Sequence, residues 1–305
     1  MQSNLPSVSY ILCVFNGEKT LVSCLESLLT QKGVSLQIIA VNDGSSDHSL
    51  SILQNYASQY KQIKIINQKN FGLATARNVG ISHAKGDYIA SVAQDDVYLP
   101  HKSINQIKFM EEKNLDFSFA YVDLIDEFGL PLKHKDTALY NCQLWRWPWV
   151  IFQVAFFMPL CSPTFICKRQ CYEAIHWNSS LLIFADYNLW LKMFLQFKGG
   201  KLEKISLLHR CVDRLKNQEY REKFPLSFLY LEHRIAAASA FIYKFIPHNF
   251  ILPISNFFKL LKNVVILEKR SDRKAILKLS QIYSQAGYSY ISQKLKDIAT
   301  SVNFR

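Results

Sequence analysis

The chain has 305 residues, 49% hydrophobic and 20% charged, which is enough apolar material for one large domain, or for one domain with a helical appendage. A net charge of +12 and a pI near 9.3 favour anionic partners such as nucleotide phosphates or an acidic membrane face. Nucleic acid is disfavoured, because the basic residues are dispersed and no helix-turn-helix, zinc-finger or RNP-like pattern occurs.

The first half alternates strand and helix. Val8–Phe15 is a short apolar run of strand type, and Glu18–Gln31 carries Leu21, Leu25, Leu28 and Leu29 at helical spacing. Leu36–Val41 reads as a second buried strand that ends in Asn42-Asp43-Gly44-Ser45, where Ser46 or Asp47 can cap the next helix. Ile63–Ile66 and Tyr88–Val92 are two further strands with a Gly/Asn-punctuated helix between them. Such alternation predicts an α/β fold with a mostly parallel sheet covered on both faces. Pro100–Lys113 then reads as a helix, Asp116–Ile125 as a strand and Glu127–Pro131 as a turn. Leu144–Cys161 is aromatic and poorly periodic, whereas Tyr187–Phe197 is an amphipathic helix. From about Pro225 the chain reads as helical, basic and aromatic, so the expected division is a domain over 1–224 and a helical extension over 225–305.

Seven cysteines without zinc spacing fit a reducing, cytoplasmic compartment, and Met1–Pro6 lacks the pattern of a signal peptide. Val150–Leu160 is too short to cross a bilayer. The stretch 235–267 is interrupted by Lys244, Pro247, Pro253, Lys259 and Lys262, so it reads as lying on a membrane rather than spanning one.

Ligands of open α/β sheets bind at the carboxyl ends of the strands. Here those ends carry Asn16-Gly17, Asn42-Asp43-Gly44-Ser45 and Gln94-Asp95-Asp96. No Gly-x-Gly-x-x-Gly follows the first strand and no P-loop occurs, which argues against a dinucleotide crevice. Acidic strand ends repel a phosphate unless a divalent cation lies between, bridging carboxylates and diphosphate oxygens; Asp95 and Asp96 suit that role. The plainer reading is a turn with two solvated carboxylates. Gly72 permits a close or left-handed backbone, and the helix after it points amides at an anion. Arg77 can bond a phosphate, hold Asp87 or Asp95, or form a structural ion pair beneath the site; Asn78 stays open between function and structure.

Val41-Asn-Asp-Gly-Ser-Ser-Asp47, Asn70-Phe-Gly-Leu-Ala-Thr-Ala-Arg-Asn-Val-Gly-Ile81, Gly86-Asp-Tyr-Ile89 and Gln94-Asp-Asp96, in this order, closely resemble family 2 glycosyltransferases over roughly residues 6–215. The Gln-Asp-Asp form followed by Pro100 and Lys102 is similar to the rhamnosyltransferase branch. The resemblance implies a GT-A nucleotide-diphospho-sugar transferase fold and an inverting, metal-dependent transfer. The donor would be UDP- or dTDP-linked, the acceptor a polysaccharide or lipid-linked oligosaccharide hydroxyl, at the inner face of the cell membrane. It implies donor contacts from Asn16, Asp43, Asn70, Gly72, Arg77 and Asp87, with Mn²⁺ or Mg²⁺ at Asp95 and Asp96. It also implies that Asp186, opening a helix with Leu189 and Trp190, is the base, although a helix-capping role is its structural alternative.

The sequence departs from the family at three positions. Ala93 removes one acid of the Asp-x-Asp motif, Ala185 stands where the family has Glu, and Val212 stands at the usual His, for which His209 or Asp213 can substitute. Those losses keep a non-catalytic nucleotide-sugar binder as the alternative. A nucleotidyltransferase would need a basic Gly-rich loop, of which Asn16-Gly-Glu-Lys19 is a poor version.

Overall fold

The computed structural model of the chain describes residues 5–133, 136–146, 149–157, 159–181, 184–211 and 296. By internal contacts the chain divides into one unit of Met1–Trp177 with Leu189–Val212, and a second of Asn178–Asn188 with Asp213–Arg305. The expected extension over 225–305 and its boundary at 224 fall outside the described residues, apart from 296, as do Val212 and Asp213.

The first unit is built on eight strands: β1 (Ser7–Val14), β2 (Ser35–Asp43), β3 (Ile63–Gln68), β4 (Tyr88–Ala93), β5 (Val97–Tyr98), β6 (Phe117–Ile125), β7 (Ile166–Lys168) and β8 (Gly199–Arg210). Their order is β3-β2-β1-β4-β7-β6-β8-β5. β1 lies between β2 and β4 and is parallel to both. It is buried from Val8 onward because both faces are covered, and this is why its sequence is an unbroken apolar run rather than an alternating one. The sheet is mostly parallel, as expected, with two strands reversed: β7 runs antiparallel to β4 and β6, and β5 antiparallel to β8. Because β6 and β8 are parallel to each other, β1–β4, β6 and β8 all present their carboxyl ends at one edge.

Helices α1 (Leu21–Leu29), α2 (Ser49–Gln59), α3 (Leu73–Ser82) and α4 (Lys102–Glu112) follow the early strands. α1 buries Leu21, Cys24, Leu25 and Leu28 on one stripe. It starts three residues later than its periodicity predicts, because the Gly17 carbonyl accepts the amides of both Thr20 and Leu21 and closes a turn first. The later helices are α5 (Asp136–Tyr140), α6 (Trp149–Phe157), α7 (Arg169–Ala174) and α8 (Ala185–Gln196). The sequence of α6, WVIFQVAFF, is apolar almost all round, so it lacks the amphipathic period that reveals a helix. Trp190 and Phe194, one turn apart on α8, pack edge-on against strand residues. Trp190 meets Phe119 at 5.2 Å between ring centres, and Phe194 meets Phe117 at 4.8 Å. The Trp190 indole N–H donates to Ser162 Oγ at 3.1 Å.

All seven cysteines are free. Among the described residues no helix is long and apolar enough to cross a membrane.

Candidate active site at the carboxyl edge of the sheet

The loops that leave β1, β2 and β4 are bonded into one surface. Asn16 has φ +48°, a left-handed conformation that asparagine tolerates. From there its amide donates to Ser45 Oγ at 3.1 Å while its side-chain oxygen accepts the Ser46 amide at 2.8 Å. Gln94 pairs with the backbone of Phe15 in both directions, at 3.0 Å each way. Asp47 accepts the amides of Glu18 and Ser49, both at 3.0 Å. Desolvation pushes the Asp47 carboxyl up, but bonds from Ser49 and the Glu18 amide outweigh it and hold the pKa below the usual carboxylate value. Neither expected residue is the N-cap of α2, which is His48 without a side-chain cap bond; Asp47 lies one residue earlier and accepts the amide of the first helical residue, Ser49, and Ser46 turns to Asn16. A cleft of about 420 Å³ opens here, lined by Asn16, Gly17, Glu18, Lys19, Asp47 and Gln94.

Asp43 ends β2 and is 4% exposed. Its Oδ1 accepts from Gln68 Nε2 at 2.7 Å and from the Phe71 amide at 2.9 Å; its Oδ2 accepts the Gly72 amide at 2.9 Å. The carboxylate therefore builds the Asn70–Gly72 loop by holding two of its amides. Gly44 and Gly72 are required by the path of this chain. A Cβ on Gly44 (φ +74°) would stand 2.7 Å from the Asn70 amide nitrogen, and Gly72 (φ +87°) is the N-cap of α3. Asn70 Oδ1 also accepts the Gly72 amide, at 3.2 Å. The result is a helix N-terminus at the same edge as Asn16 and Asp95, with Phe71 and Leu73 exposed around it.

At the end of β4 the two acids part. Asp96 is fully buried, and its Oδ1 accepts from His209 Nδ1 and from the Arg210 amide, both at 2.9 Å. Burial alone would push His209 down; the Cys161 sulfur and Asp96 outweigh it, and the imidazole pKa is pushed up to about 12. Arg210 in turn donates from Nε to the Asp95 carbonyl at 2.9 Å. Its Nη1 donates to the carbonyls of Asp126 and Glu127 at 2.8 and 2.9 Å. One guanidinium thus fixes the acidic pair to the turn after β6. Asp95 is half-buried.

The donor set fits a divalent cation of the kind that takes few protein ligands. Asp96 Oδ2 is buried with no hydrogen-bond partner among the described residues, an orphaned acceptor that a cation would satisfy. Among those residues no group of three or more His, Cys, Asp or Glu could hold a metal, which excludes a closed protein cage there. Asp95 and Asp96 suit an ion that completes its shell with water and substrate phosphates, as Mg²⁺ and Mn²⁺ do. His209 is bonded to Asp96 by Nδ1 and stands behind the pair.

Arg77 is 5% exposed, and its guanidinium lies 4.2 Å from the centre of the Trp177 ring and beside the Cys13 thiol near the carboxyl end of β1. One expected contact is corrected. Asp87 precedes β4 at the amino edge, where it accepts from Ser7 Oγ at 2.6 Å and its amide donates back to the same oxygen at 2.9 Å. The six residues of β4, at about 3.3 Å each, place it about 20 Å from the edge that bears Asp95. Residue type suggested the Asp87 contact, but the direction of β4 decides otherwise.

Asp186 is half-buried in the first turn of α8, and its Oδ1 lies 2.7 Å from the Tyr187 amide. It belongs to the second unit by internal contacts, as part of Asn178–Asn188. The bracing roles of Gln94 and Arg210 were not legible beforehand. Their partners are backbone atoms 79 and up to 115 residues away.

Comparison with known proteins identifies the family and the fold. The profile described as "Glycosyl transferase family 2" matches residues 9–167. An uncharacterized glycosyltransferase of Rickettsia bellii (strain RML369-C) is 30% identical over 186 residues, 61% of this chain and 26% of that one. EpsE of Bacillus subtilis (strain 168), provisionally named a glycosyltransferase, is 30% identical over 207 residues, 65% of this chain and 71% of that one. The chain spans a third or less of the length of the Rickettsia relatives it matches. Crystal structures of S. aureus TarS 1–349 with UDP and with UDP-GlcNAc share the GT-A fold, with TM-scores of 0.61 and 0.63 at 15% identity. They cover 98% and 97% of this chain, and 93% and 91% of those TarS 1–349 chains. With the profile matched over more than half of its residues, the chain belongs to glycosyl transferase family 2.

Proposed function

We propose that the protein is an inverting glycosyltransferase that moves a sugar from a UDP- or dTDP-linked donor to a hydroxyl of a polysaccharide or lipid-linked oligosaccharide. One observation carries the reading. The edge that ends β1, β2 and β4 brings together the Asp43-held loop, the N-terminus of α3 and the Asp95–Asp96 pair. Amides at a helix start suit a diphosphate, and the acids suit a cation between. Family membership and the UDP and UDP-GlcNAc complexes of TarS support a nucleotide-sugar donor.

Inversion is a single in-line displacement. The acceptor oxygen forms its bond to the anomeric carbon as the bond from that carbon to the diphosphate oxygen breaks, and the hydroxyl proton passes to a base, for which Asp186 is our assignment. Asp95 and Asp96 would hold a divalent ion, whose chemistry there would be charge neutralisation of the departing diphosphate. Asp43, Asn70 and Gly72 shape the loop that receives the donor, and Asn16 braces it from the β1 side. We extend this domain to residue 224 and assign 225–305 to a helical extension. The charge of +12 and the exposed Trp145 and Trp149 support peripheral contact with the inner membrane face, which flotation with anionic vesicles tests.

Calorimetric titration with UDP and dTDP, with and without Mn²⁺, tests the site. Binding that strengthens with Mn²⁺ is expected; absent or metal-indifferent binding would refute the site as drawn. A hydrolysis screen over UDP- and dTDP-sugars then identifies the donor, and binding without turnover of any donor would favour the non-catalytic alternative.

A further inference from the structure

We infer that Phe128, on the turn after β6, is the platform for the donor's sugar, its ring receiving the C–H face of a pyranose carried by a diphosphate at Asp95 and Asp96. The inference rests on the function proposed above and gives the sugar half of that donor a contact. Phe128 is 81% exposed, the highest value for a large apolar side chain among the described residues, and Leu130 beside it is 62% exposed. A lone exposed phenylalanine is ordinary on a protein surface. What marks this one is how firmly it is held, and where.

The turn has little freedom left. Asp126 Oδ1 accepts the amides of Phe128 and Leu130, both at 2.9 Å. The Asp126 amide donates to the Leu130 carbonyl at 2.9 Å, and the Gly129 amide donates to the Asp126 carbonyl at 3.1 Å. An aspartate that closes its own turn in this way fixes the backbone of Phe128 before any ligand arrives, which lowers the entropy lost on binding. Arg210 then ties the turn to the acids. Its Nη1 donates to the carbonyls of Asp126 and Glu127, and its Nε donates to the Asp95 carbonyl. One planar guanidinium spans all three, so the Asp95 and Glu127 carbonyl oxygens lie no more than about 8 Å apart.

Strand order decides which part of a donor reaches this turn. β4 leads to the acids; β1 and β2, which lead to Asn16 and Asp43, lie on one side of it, and β7, β6 and β8 lie on the other. With the diphosphate over the acids and the nucleoside toward β1 and β2, the sugar extends toward β6 and its turn. A pyranose suits the side chain it meets there. It presents C–H groups on a ring face and hydroxyls around its rim, so it covers an aromatic ring and leaves its polar groups in water.

The test is calorimetry on the full chain with Mn²⁺, using UDP, dTDP, UDP-GlcNAc, UDP-glucose and dTDP-rhamnose. Phe128→Ala should weaken the sugar nucleotide that the wild type binds tightest by roughly 3- to 10-fold. Its affinity for the matching bare nucleotide should stay within about twofold, and its melting temperature within about 2 °C. Phe128→Tyr keeps the ring and should bind that donor within about twofold of the wild type. Unchanged donor affinity in Phe128→Ala overturns the inference. So does an equal loss for donor and bare nucleotide, since the turn would then brace the cation or hold the base rather than the sugar. A wild type that binds none of these ligands refutes the proposed function itself, whereas intact wild-type binding with either of those results in Phe128→Ala refutes only the sugar platform.

Discussion

Replacing Lys102 by methionine should stabilise the protein, the opposite of the usual result in a core. Lys102 opens α4 and is 1% exposed, and its Nζ has no hydrogen-bond partner among the described residues. The Tyr98 ring, with its centre 6.0 Å away, is a weak compensation, and a cation at a helix N-terminus opposes the helix dipole. Burial pushes the ammonium pKa down from 10.5 to about 7, and Cys161 only partly offsets this. The unfolded chain keeps this proton up to pH 10.5 and the folded chain only to about pH 7. Between those values the unfolded state binds more protons, so stability rises with pH across that window. Below pH 7 both states are protonated and the full penalty applies. The gap between the two pKa values corresponds to about 5 kcal/mol, and local relaxation reduces what a mutation recovers to roughly 2–4 kcal/mol. Methionine matches the length of the stem without the charge. Urea denaturation at pH 6.5, 8 and 9.5 should show Lys102→Met more stable by that amount at pH 6.5, with the advantage shrinking as pH rises. A variant less stable than the wild type, or an advantage that does not change with pH, would refute the reasoning.

Asp43→Ala exposes the Phe71 and Gly72 amides and should cost about 2–4 kcal/mol of stability and at least about tenfold in UDP affinity; unchanged UDP affinity by calorimetry would show that the loop does not depend on this carboxylate. Asp95→Ala should abolish the Mn²⁺ enhancement of UDP binding while leaving the melting temperature within about 2 °C, because this acid is the solvent-reaching member of the pair. Persistence of the enhancement would move the cation elsewhere. Asp186→Asn should retain UDP binding and lose at least about a hundredfold in turnover, and a variant with intact turnover would remove Asp186 as the base. Asp96→Asn deprives His209 and the Arg210 amide of their carboxylate and should cost about 3 kcal/mol, read by urea denaturation; a variant as stable as the wild type would refute that role.

The features legible in advance were those set by neighbours in sequence. The run Val8–Phe15, which formed β1 as Ser7–Val14, the Leu21, Leu25 and Leu28 stripe buried by α1, and the turn at Glu127–Pro131 each carry their own chemistry. The strand-end acids were likewise visible, because Asn42-Asp43-Gly44 and Gln94-Asp95-Asp96 directly follow apolar runs. β8 escaped notice, since Glu203 and Lys204 break its apolar pattern and its pairing with β6 slips in register on either side of Tyr121.

Sequence by itself determined an α/β sheet with polar and acidic residues at its strand ends, because burial and turn chemistry are local. Tertiary structure alone decided what each polar residue does there. Asp43 is occupied by the amides of Phe71 and Gly72, Asp96 by His209 and Arg210, and Arg77 by Trp177; Asp87 is left at the far end of its strand. A carboxylate or guanidinium can serve many partners, and which one it meets is set by strand order and helix face rather than by its neighbours in the chain.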